Sequence, residues 1–297
     1  PTAEPPQPAA DSDGAAQILG VEQLDRFAAV FDEIFDAAAA MGIALQGAIS
    51  EGGQGQFELN LTHCSAMRMA DASWLTKQLV RGVARKHGLA ATFMAKPFAD
   101  QAGNSMHAHV SVLDRQGRNL FDNGLRSGSG LMHCAIAGCL ACMPAATLVF
   151  APWENSFERI TPGVHAPTGV CWGYENRTTS IRVPGGDPAA RRIEHRVPGA
   201  DANPYLALAA VLGAMMIGIE DELTPPEPVI GNAYDQRLLQ LPTDWDNAIT
   251  RFADSPKMAR IFPPLLIDNL TATKRQEQRR MADLTPEAQL RATLQGV

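Results

Sequence analysis

Cysteines and long apolar runs are scarce in this sequence, and each shortage removes a class of protein. The five cysteines are an odd number, and a chain of 297 residues does not need disulfide bonds to fold. The longest apolar run, residues 206–219, holds 14 residues, too few to cross a hydrocarbon core of ~30 Å as a helix. No charged segment followed by an apolar one opens the chain, as a signal peptide requires. We therefore expect a cytoplasmic protein with reduced thiols and no membrane span.

Positive charge is in deficit as well. Lys and Arg total 25 against 32 Asp and Glu, a net charge of −7, whereas a general nucleic-acid binder needs a positive surface to face phosphates. The sequence also lacks the motifs G-x-x-x-x-G-K-[ST], G-x-G-x-x-G and G-x-S-x-G. The glycine pairs 52–53 and 185–186 are only weak signs of phosphate loops, since most such pairs form turns. With 45% hydrophobic residues, the chain can nevertheless bury a large core.

The hydrophobic pattern divides the chain into a tail and a folded remainder. Residues 1–20 are rich in Pro, Ala, Asp and Gly, and are expected to form a flexible tail or linker. Apolar residues at helical spacing then predict a helix that ends at Gly42, followed by a strand over 43–49. Asp71 is expected to cap a second helix that ends near Gly88.

Two apolar segments are predicted to be buried helices. Cys139 and Cys142 form a C-x-x-C motif, but residues 131–142 are nearly all apolar or small. No second cysteine pair has zinc spacing, so we interpret this segment as core helix rather than a metal site. Asn203 is predicted to be the N-cap of a helix, and Pro204 its first residue. The all-apolar helix that they begin is expected to be buried all round.

Three predicted strands carry unusual polar stripes. Each alternates with period two, so one face is apolar and the other presents polar side chains in a row. The stripes are Gln56, Glu58 and Asn60; His107, His109 and Ser111; and Arg192, Glu194 and Arg196. For any single strand, the favoured interpretation is a solvent-exposed face with surface ion pairs. Taken together, the stripes contain no lysine, which is the usual residue of such a face.

Arginine is concentrated around the third stripe. Six arginines fall within 38 residues: Arg159, Arg177, Arg182, Arg191, Arg192 and Arg196. The guanidinium fork binds carboxylate and phosphate through two parallel hydrogen bonds. Glutamates with a histidine suit Mg²⁺ or Mn²⁺, hard ions that bridge phosphate oxygens. The residues therefore indicate metal-assisted phosphoryl transfer to an anionic substrate.

Six ordered motifs resemble those of the glutamine synthetase superfamily, from about residue 21 to the end of the chain. The matching segments are EGGQGQFE (51–58), with Gln54 in place of the family's proline; KP…GNSMHAH (96–109); NSFERITPG (155–163); NRTTSIRVP (176–184); RRIEHR (191–196); and ANPYL (202–206). The resemblance implies an α+β catalytic domain over residues 21–297, with a curved, mostly antiparallel sheet backed by helices. It also implies a homo-oligomer of stacked rings, a dodecamer.

The resemblance implies a role for each polar side chain of these motifs. Glu51 and Glu58 match ligands of the metal on the acceptor side, and His107 and Glu194 match ligands of the metal that holds the ATP phosphates. Arg159 and Arg196, with the Gly103 backbone nearby, match the groups that hold glutamate. His109 and Ser111 match residues beside the nucleotide. Arg177, Arg182 and Arg192 match arginines on the phosphates. Glu194, Arg196 and Arg177 form the catalytic group, with Arg177 steadying charge during transfer.

The implied reaction uses ATP and Mg²⁺ or Mn²⁺. The γ-carboxylate of glutamate is phosphorylated, and an amine then displaces phosphate. The order is physically sensible, because a carboxylate accepts an amine poorly until one of its oxygens becomes a phosphate leaving group. The sequence leaves two other functions open: glutamine synthetase proper, which uses ammonium, and a non-catalytic relative that binds nucleotide or glutamate.

Two departures from the family pattern affect these expectations. Ammonia-using members carry a glutamate where this chain has His165, and a histidine is a weaker site for a small cation. The segments WGYENR (172–177) and GAD (199–201) resemble the branch of gamma-glutamylputrescine and gamma-glutamylpolyamine synthetases. His165 also has a second interpretation, neutral drift in a flap with a steric role. The family's N-terminal β-grasp domain and its E-x-E strand have no match, so we expect this chain to be a piece of a longer protein.

Overall fold

The computed structural model describes residues 18–163 and 166–294. Within these ranges the chain forms two compact units, one of residues 18–103 with 284–294 and the other of residues 104–283. The predicted tail, residues 1–20, lies almost wholly outside the described residues, and the domain bounds 21–297 stay a prediction.

In chain order the described helices and strands are α1 (Val21–Arg26), α2 (Ala28–Ala40), β1 (Leu45–Ser50), β2 (Phe57–Leu61), α3 (Ala66–Lys86), β3 (Ala108–Val110), α4 (Gly130–Phe150), α5 (Ser156–Arg159), β4 (Trp172–Tyr174), β5 (Ile181–Val183), β6 (Ile193–His195), α6 (Pro204–Glu220), α7 (Trp245–Ala253), α8 (Pro256–Ile261), α9 (Pro264–Ala282) and α10 (Pro286–Leu294).

The first unit packs two helices against a β-hairpin. Strands β1 and β2 pair antiparallel, and alternate residues of β2 face the helices. Phe57 meets the rings of Phe27 and Phe31 edge-on, with centroids 5.2 and 4.8 Å apart. Ile34 and Leu79 are buried in the same core. The opposite face of the hairpin is therefore left to its polar side chains.

The predicted boundaries in this unit are partly confirmed. Gly42 and Gly88 follow α2 and α3 with φ of 71° and 70°, as expected of helix-ending glycines. The first helix is interrupted at Phe27, which separates α1 from α2. Asp71 was the wrong cap, because α3 begins at Ala66 and Asp71 lies inside it.

The core of the second unit is built on α4 and α6. The Asn203 side chain accepts hydrogen bonds from the backbone N–H groups of residues 205 and 206, at 3.0 and 3.2 Å, and Pro204 takes the first helical position as predicted. The expectation that α6 is buried all round was wrong, since Met216 is 51% exposed. The apolar composition of α6 predicts that the helix is buried, but it does not predict which of its sides lacks a packing partner in this chain.

Helix α4 confirms the interpretation of the C-x-x-C segment. Cys139 and Cys142 are buried among apolar residues, and burial raises the pKa of both thiols. By length and composition α4 could also span a membrane, but 72% of its most apolar 18-residue window is buried inside the protein. That burial is typical of a core helix.

A four-stranded sheet carries most of the polar stripes. Its strand order is β3-β6-β5-β4; β6 runs antiparallel to both β3 and β5, and β4 runs parallel to β5. With the β1–β2 hairpin, this confirms an α+β fold with mostly antiparallel strands. Strands β3 and β6 span three residues each, so the ends of the predicted stripes lie in flanking extended chain.

Candidate active site

Glu194 lies at the centre of the polar face of this sheet. The register sets its Cα opposite His109 of β3 on one side and Arg182 of β5 on the other. Successive residues of β6 point to opposite faces, so His195 turns away from the site. Its ring is buried against Phe150, with centroids 4.7 Å apart.

The Glu194 carboxylate is held by three side chains. Its Oε1 accepts a hydrogen bond from Arg196 Nη1 and lies 3.3 Å from His107 Nδ1, and its Oε2 accepts from Arg182 Nη1 at 2.8 Å. The side chains of Glu194 and Arg196 are 3% and 2% exposed. Burial alone would raise the pKa of Glu194, but the positive charge of Arg196, together with the hydrogen bond from Arg182, outweighs it and holds the pKa at about 2. The carboxylate is therefore ionised at neutral pH.

His107 is kept neutral in this setting. Loss of solvation lowers its pKa, and the positive charge of Arg196 lowers it further. A neutral imidazole beside an ionised carboxylate is a donor pair that suits Mg²⁺ or Mn²⁺. Within the described residues, the structure gathers no group of three or more His, Cys, Asp or Glu side chains that could hold a metal. His107 and Glu194 supply two donors of a suitable kind, and their role as metal ligands stays a prediction.

A second pair extends the site along β3. Arg192 Nε donates to His109 Nδ1 at 3.1 Å and its Nη1 donates to the Ala190 carbonyl at 3.2 Å. Ser111 is exposed one residue beyond β3. The structure therefore brings together Arg192 and His109, two of the residues predicted beside the nucleotide.

Arg159 is a buried cation at the end of α5. Its guanidinium, 2% exposed, donates to Ser105 Oγ at 2.9 Å and to the Val197 carbonyl. Burial lowers its pKa to about 10, an effect that Asp201 opposes and that the positive charge of Arg196 increases. Arg159 and Arg196 are thus close enough to repel each other, which favours an anion in their vicinity.

Other predicted residues belong to the turn after β4 and to the first unit. Arg177 is exposed in the turn after β4, and its charge lowers the pKa of Arg196, as do burial and Arg182. In the first unit, Gln56 Nε2 donates to the Gly103 carbonyl at 2.9 Å. His165 lies outside the described residues.

Glu51 and Glu58 also belong to the first unit. Ile49 pairs with Glu58, and the Glu51 N–H donates to the Gln56 carbonyl. This register puts the two glutamates on the same face of the hairpin, opposite the face of Phe57. Their role as metal ligands stays a prediction.

Sequence reasoning missed two side chains that hold this cluster in place. Asp201 is buried and accepts a hydrogen bond from Ser156 Oγ, at the first residue of α5. Glu175 pairs with Arg182 across 3.5 Å. Both lie in segments that resemble the family, WGYENR and GAD. Neither belongs to a repeating hydrophobic pattern, and the partner of each lies in another element of the chain.

Comparison with known proteins identifies the class to which this fold and site belong. Residues 3–292 match the sequence model of the family described as "Glutamine synthetase, catalytic domain", and the chain belongs to that family. The expected superfamily is thereby confirmed.

Particular relatives narrow the comparison. The chain is 35% identical over 281 residues to gamma-glutamylputrescine synthetase PuuA of Escherichia coli K12, covering 94% of this chain and 60% of that protein. It is 36% identical over 238 residues to a glutamate–isopropylamine ligase of a Pseudomonas species, covering 78% and 52%. A solved structure titled as a GmaS/ADP complex aligns with a TM-score of 0.85 and 29% identity, covering 97% of this chain and 68% of that one. The chain spans about half to three fifths of the length of these curated relatives.

Proposed function

We propose that the protein is an ATP-dependent ligase that joins the γ-carboxylate of glutamate to an alkyl amine such as a polyamine. The observation that carries this proposal is the cluster around Glu194, where Arg182 and Arg196 both bond one carboxylate and the charge of Arg159 acts on Arg196. Such an excess of fixed positive charge suits substrates that bring several negative charges, as glutamate and ATP do. Two of the relatives are named for glutamyl transfer to putrescine and to isopropylamine.

The side chains divide the work between the two anionic substrates. Arg159 and Arg196, both almost wholly buried, hold the carboxylates of glutamate. Arg182 and Arg192 hold phosphate oxygens, and Arg177, exposed in its turn, neutralises charge that spreads over the transferred phosphoryl group. A γ-carboxylate oxygen attacks the terminal phosphorus and ADP leaves. The amine nitrogen then attacks the acyl carbon, inorganic phosphate leaves, and the nitrogen loses its proton.

Divalent cations would complete this charge balance. By the family resemblance, His107 and Glu194 would hold the Mg²⁺ or Mn²⁺ ion at the ATP phosphates, and Glu51 and Glu58 would hold the ion on the acceptor side. The ions would supply Lewis-acid neutralisation of the phosphates. By the same family resemblance we infer a cytoplasmic homo-oligomer of stacked rings, a dodecamer, whose mass light scattering would test.

Phosphate release by the full-length protein tests the activity. We expect ATP- and glutamate-dependent release that is faster with putrescine, spermidine or ethanolamine than with ammonium, each at matched concentration. Faster release with ammonium would instead favour glutamine synthetase proper, the second candidate function. No release with any amine would contradict both and favour a relative that only binds its ligands.

Exchanging His165 for glutamate should move the preference toward ammonium. A carboxylate attracts a small cation that an imidazole does not, and one such contact changes the ratio of kcat/KM for ammonium to that for putrescine by about tenfold. Steady-state kinetics of His165→Glu would measure this ratio. The exposed His63 gives the matched variant His63→Glu, which should leave it unchanged. An unchanged ratio in His165→Glu would mean that residue 165 does not select the amine.

A further inference from the structure

The turn after β4 contains an exposed glutamate in a backbone conformation that costs free energy. Glu175 has a φ of 57°, in the left-handed region that side chains with a Cβ rarely adopt. Such a conformation persists only where surrounding contacts hold it. Among the described non-glycine residues, only Leu19 and Glu222 share a positive φ, and neither belongs to a segment between two strands of the sheet that carries Glu194.

Glu175 is held through both its backbone and its carboxylate, and its N–H donates to the Val183 carbonyl at 3.0 Å. Oε1 accepts a hydrogen bond from the Gly185 N–H, and it lies 3.5 Å from Arg182 Nη2. Within the described residues, Arg182 is the cation that pairs with it. The Gly185 contact lowers the pKa of Glu175, burial opposes this effect, and the charges of Arg182 and Arg126 lower the pKa further, so the group is ionised at neutral pH.

This arrangement also explains the glycine pair at 185–186. A Cβ on Gly185 would lie 2.9–3.0 Å from the Glu175 carboxylate, so any side chain there would push the carboxylate away. Gly186 has a φ of 109°, which turns the chain immediately afterwards. The two glycines, for which a turn is the usual interpretation, therefore leave space for the Glu175 carboxylate.

Arg182 consequently lies between two carboxylates. Its Nη1 contacts Glu194 Oε2 at 2.8 Å and its Nη2 faces Glu175 Oε1 at 3.5 Å. Without Glu175, both terminal nitrogens would be drawn to Glu194, since a guanidinium and a carboxylate prefer a bidentate pair. The guanidinium would then lose the orientation that leaves N–H groups for another anion.

We propose that Glu175 is a positioning residue, which holds the Arg182 guanidinium partly away from Glu194 so that it binds a phosphate group of ATP. The inference rests on the proposed function and extends it, because it assigns a role to a residue that acts through Arg182. Its structural basis is the shared guanidinium together with the strained turn.

Three variants of the full-length protein test this inference. Glu175→Gln keeps the acceptor for the Gly185 N–H but loses the charge, and Gly185→Ala displaces the carboxylate without removing it. Glu222→Gln is the matched control, because Glu222 is also exposed and also has a positive φ, 51°, but it follows α6. ATP affinity would be measured by titration calorimetry without glutamate or amine, and melting temperatures and KM values would be measured alongside.

We expect Glu175→Gln and Gly185→Ala to weaken ATP binding about fivefold, as loss of one partly exposed ion pair does. Their KM for glutamate and their melting temperatures should match the wild type, and the control should match it in every measurement. ATP binding equal to wild type in both variants would overturn the inference. A rise in the KM for ATP and in the KM for glutamate by the same factor, together with a lower melting temperature, would also overturn it. Absence of ATP binding by the wild-type protein would overturn the proposed function itself, and this inference with it.

Discussion

Glu194→Gln should abolish most activity and destabilise the fold. The substitution leaves Arg196 and Arg182 without their shared counter-charge, and Arg196 is almost wholly buried. Breaking a buried ion pair from one side costs about 3 kcal/mol of unfolding free energy, because the remaining charge stays desolvated. The variant also loses a predicted metal ligand, so kcat should fall at least about 100-fold. Urea denaturation and phosphate release measure the two effects.

The pH dependence of this destabilisation separates charge from packing. The pKa of folded Glu194 is about 2, against 4.5 for the unperturbed group, so its ionised form adds stability above pH 4.5. That stability is lost as the pH falls from 4.5 toward 2. The difference in unfolding free energy between wild type and Glu194→Gln should therefore become smaller as the pH falls over this range. A difference that does not change with pH would show that lost packing, rather than lost charge, destabilises the variant. The control Glu227→Gln, at an exposed site, should have the same unfolding free energy as wild type.

The sequence predicts this site better within a strand than between strands. The period-two rule puts Arg192, Glu194 and Arg196 on one face, and the structure joins Glu194 to Arg196 there. That Arg182 and His109 flank Glu194 depends on the register of β5 and β3 against β6. Register is set by the packing of segments far apart in the chain, and the family resemblance, rather than the local pattern, indicated that those residues belong together.

Errors in the predicted elements have the same physical origin. Asp71 has a good capping side chain, but α3 begins at Ala66, more than one turn earlier, and this added part of the helix buries Ala70. Glu175 gave no sequence signal, since its partners lie seven and ten residues later. Local preference therefore predicts that an element exists, and long-range contacts decide where it ends and what its side chains meet.

Gly138→Ala should strongly destabilise the core although it adds only one methyl group. Helices α4 and α6 cross where an added Cβ at Gly138 would lie 2.0 Å from the Ala214 carbonyl oxygen and 2.6–2.7 Å from Gly218 backbone atoms. A Cβ at Gly218 would meet the Cys134 carbonyl oxygen at 2.0 Å in return. These obstacles are backbone atoms that cannot rotate aside, so the helices must separate. We expect a loss of about 3 kcal/mol in unfolding free energy, at the upper end for an overpacked core.

The same substitution at Gly82 provides a control with the opposite sign. Gly82 lies inside α3, and an added Cβ there would have no atom within 4 Å. Gly82→Ala should therefore stabilise the protein by about 0.5–1 kcal/mol, since alanine restricts the unfolded chain and favours the helix. Urea denaturation of both variants measures the difference. If Gly138→Ala were as stable as Gly82→Ala, α4 and α6 could not lie as close together as the structure shows. The packing of α4 in one core with the sheet that carries Glu194 would then also differ from the structure.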